Sequence, residues 1–194
     1  MVKRFLLLVL LTLPLSALGQ ALSVLGGDAW ARECFDNANY AASHPPTVSR
    51  ALLEPCDSAL DFGTLSLADR AATYSNRGII RAASKEITQA MLDYEKAMSI
   101  RPETPEIYVN RGNAYFLNRD YAMALEDYEV SLALGINQLH FVRYNMGMTY
   151  DNLGNLDLAE EQLKLALMIE PGWDLAEERL ERVLEKRKEG EVEK

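Results

Sequence analysis

The sequence contains few of the residues on which catalytic and metal sites depend. Only two cysteines and two histidines occur among 194 residues, and neither His44 nor His140 stands at a recognisable spacing from a serine, cysteine or aspartate. The glycines of the two NRG sequences fall within predicted helices, so they do not form a phosphate-binding loop. Because no nucleophile and base can be paired, we expect no enzymatic activity, no metal site and no cofactor.

Long apolar runs are also missing, apart from one near the beginning. A short basic patch precedes the run Phe5–Leu18, and this run is shorter than the roughly 20 residues that span a membrane. The small residues that follow fit a cleavage site after Gly19, with a second candidate site after Ala21. The pattern predicts a secretory signal peptide over residues 1–19. We therefore expect an exported protein, periplasmic in a Gram-negative bacterium and secreted otherwise.

Positive charge is scarce in the remainder of the chain. The whole sequence has 20 basic and 29 acidic residues, and removal of Lys3 and Arg4 with the signal peptide leaves 18 against 29, a net charge of −11. An acidic protein repels nucleic acid phosphates and anionic headgroups. We expect neither a nucleic acid partner nor stable membrane insertion after cleavage.

Cys34 and Cys56 both lie in the part of the chain that is predicted to be exported. An even pair of cysteines in an oxidising compartment usually forms a disulfide, which here would join two helices of a hairpin. A lone pair 22 residues apart is a poor metal site. The alternative is a cell-envelope hydrolase or thiol enzyme that uses Cys34 or Cys56.

The most informative feature of the sequence is an internal repeat. Glycine recurs at Gly78, Gly112 and Gly147, at steps of 34 and 35 residues, and matching alanine and aromatic positions recur with it. Each unit shows two stretches with helical spacing of apolar residues, separated by a short polar turn. Two such helices cannot bury both apolar stripes alone, so neighbouring hairpins must stack. Glycine and alanine then fall where helix backbones come close.

These units resemble the tetratricopeptide repeat, whose signature has an aromatic residue, a glycine and a tyrosine in the first helix and an alanine, an aromatic residue and a proline later. The matching residues are Tyr74, Gly78, Ala90, Tyr94, Ala97 and Pro102 in the first copy, Tyr108, Gly112, Tyr115, Ala124 and Tyr128 in the second, and Gly147, Tyr150, Ala159, Leu163, Ala166 and Pro171 in the third.

The repeats also depart from the family pattern. Arg77 and Arg111 replace the apolar residue before glycine, Arg81 replaces the first tyrosine, and Ile136 stands where a closing proline is expected. One residue is inserted between the second and third copies. These departures do not change the predicted fold, but they predict a less regular superhelix between the second and third copies.

The resemblance implies an all-α fold, an α-α superhelix or tetratricopeptide solenoid. We predict three helical pairs over residues 71–104, 105–138 and 140–173. A degenerate helical hairpin with the disulfide precedes them over residues 20–70, with a kink or a late start at Pro55. A capping helix and tail follow over residues 174–194. The acidic side chains of Glu126, Asp127 and Glu129 are expected to form a solvated outer face.

In this family the first helix of each pair lines a concave groove that holds peptides or partner helices. The resemblance therefore implies a protein-interaction scaffold with a protein or peptide partner, while self-association is a weaker alternative. Basic residues beside the groove asparagines, which some members use to grip a terminal carboxylate, are replaced by Ser75, Ile79, Val109 and Asn113. Matching positions give the partner-binding residues Asn76, Ile79, Asn110, Asn113, Phe116, Leu117, Tyr144, Asn145 and Met148.

Two interpretations of these groove residues stay open. The recurring Asn76, Asn110 and Asn145 either hold a partner's backbone, since an amide both donates and accepts hydrogen bonds, or they bond between helices of the stack. Likewise, Phe116 and Leu117 either anchor a partner or contact the next hairpin.

Overall fold

The structure is a computed structural model that describes residues 21–23, 28–44 and 48–192, so the predicted signal peptide lies outside the described residues. The described part contains nine α-helices and one short 3-10 helix, with no strand. The helices are α1 (Ala29–Ser43), α2 (Glu54–Phe62), α3 (Leu67–Ala83), α4 (Ile87–Ile100), α5 (Pro105–Leu117), α6 (Tyr121–Ala133), α7 (Leu139–Asn152), α8 (Leu156–Ile169) and α9 (Asp174–Val192).

The helices form pairs that stack in chain order. α3 packs against α4, α5 against α6 and α7 against α8, while α4–α5 and α6–α7 contacts join consecutive pairs. The hairpin of α1 and α2 packs on α3, and α9 packs on α8 at the other end. This architecture confirms the prediction of an all-α fold of stacked helical pairs.

Pro55 marks the start of a helix. It lies in the first turn of α2, directly after the 3-10 helix Arg50–Leu53. Proline is tolerated there because its fixed φ suits a helix and its missing N–H would have no partner in the helix. Of the two outcomes predicted for Pro55, the structure shows the late start.

The inserted residue between the second and third pairs is accommodated in the connection from α6 to α7. Gly135 has a φ of 81° in this connection, a conformation that glycine adopts without steric cost. Ile136, which replaces the expected proline, is buried in the core cluster that contains Tyr128 and Val142. α6 therefore still packs against α7, as α4 packs against α5.

The two helices of each pair come close together at the repeated glycine of the first helix. A Cβ atom added there would lie 2.7 Å from a side chain of the second helix, whereas carbon atoms in contact are optimally about 3.5–4.0 Å apart. The facing residues are Gly78 with Tyr94, Gly112 with Tyr128 and Gly147 with Leu163.

We predict that Gly112→Ala lowers the free energy of unfolding by about 2 kcal/mol, because the new methyl group overpacks against the buried Tyr128 ring. Urea denaturation measures the change. Gly190→Ala is the matched control, since Gly190 lies in α9 and an added Cβ there meets no atom within 4 Å. The control should gain up to about 1 kcal/mol from helix propensity. Equal effects of the two substitutions would contradict the close-approach argument.

The arginines that precede the repeated glycines form ion pairs between the two helices of a pair. Arg77 bonds to Asp93 with an N–O distance of 2.7 Å, and Arg111 bonds to Asp127 at 2.6 Å. Arg81, which replaces the family tyrosine, also bonds to Asp93, at 2.7 Å. The departures from the family pattern are thus compensated by an acidic partner on the second helix.

The structure corrects the prediction for Asp127. Glu126 and Glu129 are exposed as expected, but Asp127 is only 4% exposed. Burial raises the pKa of its carboxyl group above the ordinary value, while the hydrogen bond and the charge of Arg111 oppose that shift. Asp127 is therefore a buried half of an ion pair and not part of a solvated face.

We predict that Arg111→Met destabilises the fold by on the order of 2 kcal/mol near neutral pH, because it leaves a buried carboxylate without its counter-charge. The loss should shrink as the pH falls toward about 4, since a carboxyl group with a raised pKa in the folded state favours folding when it is protonated. Urea denaturation at both pH values measures this dependence. Arg101→Met, at an exposed position, is the control; a loss that does not vary with pH would exclude Asp127 as its cause.

The two cysteines join the helices of the N-terminal hairpin. Their Sγ atoms lie 2.09 Å apart and their Cα atoms 4.8 Å apart, so a disulfide links α1 to α2. Both residues are completely buried, in a cluster that also contains Ile79 and Ile80 of α3. The bond therefore fixes the hairpin at the place where it packs on the first repeat.

We predict that the native protein has no thiol that reacts with an alkylating reagent. The double substitution Cys34→Ala with Cys56→Ala should lower the free energy of unfolding by about 3 kcal/mol, because the unfolded chain regains the entropy of an open loop. Reduction of the unsubstituted protein, followed by denaturation, is the control and should give a similar loss. Titration of a reactive thiol in the native protein would support the thiol enzyme instead.

Candidate functional site

The first helices of the three repeats, α3, α5 and α7, form one continuous surface, which we call the first-helix face. α3 contacts α5 and α5 contacts α7, while α4, α6 and α8 lie behind them. All nine residues predicted to bind a partner belong to these three helices. The repeat spacing explains this arrangement, since positions that match in consecutive units recur on the same side of the stack.

The three recurring asparagines are buried on this face but have different partners. Asn110 Nδ2 donates to the hydroxyl of Ser75 at 3.2 Å. Asn145 Nδ2 donates to Asn113 Oδ1 at 2.9 Å. These two bonds connect consecutive first helices, as the helix-to-helix interpretation predicts.

Asn76, by contrast, binds a segment of main chain. Its Oδ1 accepts the backbone N–H of Leu22 at 2.7 Å, and its Nδ2 donates to the carbonyl oxygen of the same residue at 2.9 Å. Leu22 belongs to no helix and lies 54 residues earlier in the chain. One amide of this face therefore holds a peptide backbone by both of its polar groups.

Asn113 connects the polar interior of the second and third pairs. Its Oδ1 accepts hydrogen bonds from the Tyr128 hydroxyl at 2.8 Å and from Asn145. Its Nδ2 is buried and has no partner in the described part of the chain. Burial raises the pKa of Tyr128, so its hydroxyl stays protonated and serves as a donor.

Four of the predicted apolar contact residues contribute to packing. Ile79 belongs to the cluster around the disulfide, and Phe116 and Met148 belong to the core of the second and third repeats. Tyr144 is 1% exposed and its ring centroid lies 4.8 Å from that of Trp173. Leu117 differs from these four because it is 38% exposed at the end of α5.

The arginines of the first-helix face all make hydrogen bonds within the protein. α3, α5 and α7 contain no lysine. Their arginines bond to neighbouring protein groups: Arg70 to the Leu60 carbonyl, Arg77 and Arg81 to Asp93, Arg111 to Asp127, and Arg143 to Gln162. All five arginines of this face are thus hydrogen-bonded within the protein, and Arg77, Arg81 and Arg111 are paired with a carboxylate.

The two histidines, which are the remaining candidates for catalysis, pack against aromatic side chains. The His44 ring stacks on Tyr40 with centroids 4.5 Å apart, and the His140 ring lies edge-on to Trp173 at 5.4 Å. Within the described ranges, no three histidine, cysteine or acidic side chains gather in a way that could hold a metal ion. Nor is any helix of the described part long and apolar enough to cross a membrane.

A separate depression of about 640 Å³ is lined by the 3-10 helix, α2 and the end of α3. Its charged side chains are two basic and four acidic ones: Arg50, Arg81, Glu54, Asp57, Asp61 and Glu86. Arg50 bonds to Glu86 at 2.6 Å, Asp57 to Arg77 at 2.7 Å and Arg81 to Asp93 at 2.7 Å. Four of these six charged side chains are therefore paired within the protein.

The sequence did not indicate the contact between Asn76 and Leu22. The repeat spacing places asparagines on the first-helix face but does not show which of them find partners on the neighbouring helix. The two bonds between first helices have different separations, 35 residues for Asn110 and Ser75 and 32 residues for Asn145 and Asn113. No single spacing in the sequence therefore identifies the partner of such an asparagine.

Comparisons with known families agree with the repeats found in the sequence. A family model described as "TPR repeat" matches residues 78–118. A second model, described as "Tetratricopeptide repeat", matches residues 105–134 and 142–172.

Two curated proteins are similar to this chain over the repeat region. Tetratricopeptide repeat protein 13 of Homo sapiens is 36% identical over 99 residues, which are 51% of this chain and 11% of that protein. Protein bimA of Emericella nidulans is 29% identical over 84 residues, 43% of this chain and 10% of that protein. The match thus spans about a tenth of either relative.

Several solved structures share the fold at low sequence identity. The first tetratricopeptide domain of Spaghetti (RPAP3), bound to the HSP90 peptide SRMEEVD, is 23% identical with a TM-score of 0.56, over 60% of this chain and 91% of that one. The Sgt2 domain of Aspergillus fumigatus is 22% identical with a TM-score of 0.58, over 63% and 82%. MamA (AMB-1) is 18% identical with a TM-score of 0.56, over 84% and 85%. Residues 78–134 and 142–172 therefore match tetratricopeptide repeat models, and the chain shares the helical solenoid fold of these structures.

Proposed function

We propose that this protein is an exported interaction scaffold that holds a peptide or a partner helix on its first-helix face. The observation that carries the proposal is the pair of hydrogen bonds between the Asn76 amide and the backbone of Leu22. This contact supports the proposal, because one amide of the face already bonds to main chain that lies outside any helix. The similar Spaghetti domain was solved with a peptide bound, which supports the same use of the fold here.

The side chains of the first-helix face favour some classes of partner over others. Because its arginines are already paired within the protein, it is not suited to grip a terminal carboxylate. An amide and apolar side chains favour an internal stretch of peptide that is held by its backbone and by aliphatic contacts. The acidic net charge argues in addition against nucleic acid as the partner.

Export is part of the proposal and is supported by two independent features. The first is the predicted signal peptide over residues 1–19. The second is the disulfide between Cys34 and Cys56, a bond that persists in oxidising compartments. The thiol-enzyme alternative gains no support from the structure, since both sulfur atoms are buried and bonded to each other.

We predict that a photoreactive amino acid at position 117 crosslinks a partner in the native compartment. Leu117 is exposed at the end of α5, so a label there reaches anything bound to the first-helix face. The matched control is the same label at Leu92 of α4, which is 56% exposed on a second helix. Recovery of a specific adduct from position 117, and its loss in Asn76→Ala, is the expected result.

Two other crosslinking results would contradict this proposal. Identical adducts from positions 117 and 92 would place the partner elsewhere on the molecule. Adducts of this chain with itself would indicate self-association in place of a separate partner. Circular dichroism of Asn76→Ala must show an intact helical fold for the comparison to count.

A further inference from the structure

Asn76 occupies the position in the first repeat that Asn110 and Asn145 occupy in the second and third. The latter two donate to polar side chains of the preceding first helix, Ser75 and Asn113. Asn76 is preceded instead by α1, and its amide bonds to the main chain of Leu22 through both polar groups. The amide is completely buried, and buried polar groups require partners. In the described residues, the partner of this amide is therefore the Leu22 main chain and not a side chain of the helical stack.

Leu22 supplies that partner in the manner of a β-strand residue. Its N–H and its carbonyl oxygen both bond to the one amide of Asn76, so both must point to the same side of the chain. Extended residues have this geometry, and paired antiparallel strands exchange hydrogen bonds in this way. In a helix, N–H and C=O groups point in opposite directions along the axis. Asn76 thus recognises an extended residue through main-chain atoms alone.

The neighbouring side chains make this recognition selective for apolar residues. Ala21 packs against the cluster around the disulfide, which includes Cys34 and Ile79. Leu22 packs against a different cluster, which includes Tyr94 and Ile107. Successive side chains of an extended segment point to opposite sides, so two walls of the site each receive one of them.

We infer that Ala21–Ser23 is a built-in occupant of the partner site and that the partner is an extended peptide with an aliphatic side chain at the place of Leu22. The partner must displace this segment to reach Asn76. Cleavage after Gly19, the first of the two predicted sites, leaves Ala21–Ser23 and the Leu22 amide in the mature protein. This inference rests on the proposed function, because it names the partner class of the same face.

A tethered occupant competes strongly with a ligand in solution. Its effective concentration reaches the millimolar range when the tether is short, and the apparent affinity of a competitor falls with the fraction of protein in which the site is open. Variants that weaken the segment should therefore bind an external peptide more tightly. This consequence can be measured without knowledge of the natural partner.

The first experiment tests occupancy by hydrogen exchange of the mature protein. The Leu22 amide should be protected in the unsubstituted protein and should exchange like an unstructured amide in Asn76→Ala. An unprotected Leu22 amide in the unsubstituted protein would overturn the inference.

The second experiment measures binding of a labelled peptide, QALSVL, blocked at both termini. Leu22→Pro removes the main-chain donor to Asn76 outside any helix, so the stack stays intact. We expect this variant to bind the peptide at least tenfold more tightly than the unsubstituted protein. Leu22→Ala keeps the N–H and should show a smaller gain. A control peptide with proline in place of leucine, QAPSVL, should bind no variant.

Equal peptide affinity of the unsubstituted protein and Leu22→Pro would overturn the built-in occupant. The failure of the proposed function has a different signature, namely no specific adduct from position 117. Adducts from position 117 together with equal peptide affinities would leave the scaffold standing and remove the occupant. Tighter binding to Leu22→Pro without adducts from position 117 would support the built-in occupant and contradict the scaffold function.

Discussion

The close approach of the two helices in each repeat is the constraint on which the rest of the structure depends. It is set where Gly78, Gly112 and Gly147 face a large side chain of the second helix without room for a Cβ atom. The facing Tyr94 and Tyr128 fill the pair interior and are completely buried or nearly so. Because the same spacing recurs in each unit, the first helices line up on one surface. The position of every groove residue follows from that alignment.

Much of the fold could be predicted because its information is local. Gly78 and Gly112, and the tyrosines that face them, recur at fixed intervals within single units, and helical periodicity extends over each stretch between turns. Polar contacts between the two helices of one unit were harder to predict. Arg111 and Asp127 lie on different helices and each resembles a surface residue in the sequence, so their buried ion pair became visible only in the structure.

The candidate site could be predicted only in part. The resemblance placed Asn76, Asn110 and Asn145 on one face, but it did not distinguish an amide used between helices from one used on main chain. The partners are Ser75 for Asn110, Asn113 for Asn145 and the main chain of Leu22 for Asn76, and these pairs share no common spacing in the sequence. Phe116 and Tyr144, which the resemblance places on the partner-binding face, are buried in the core cluster of the second and third repeats, since a repeat array uses such side chains to hold neighbouring pairs together.

The use of main-chain atoms at Asn76 has an evolutionary consequence. A contact that is made to N–H and C=O groups is preserved when the bound residue changes, with proline as the exception because it has no N–H. Mutations that exchange this residue for another aliphatic one in a bound polypeptide are therefore tolerated. Under the inferred mode of binding, ligands of this surface can diverge in sequence and need share only an aliphatic side chain at that position.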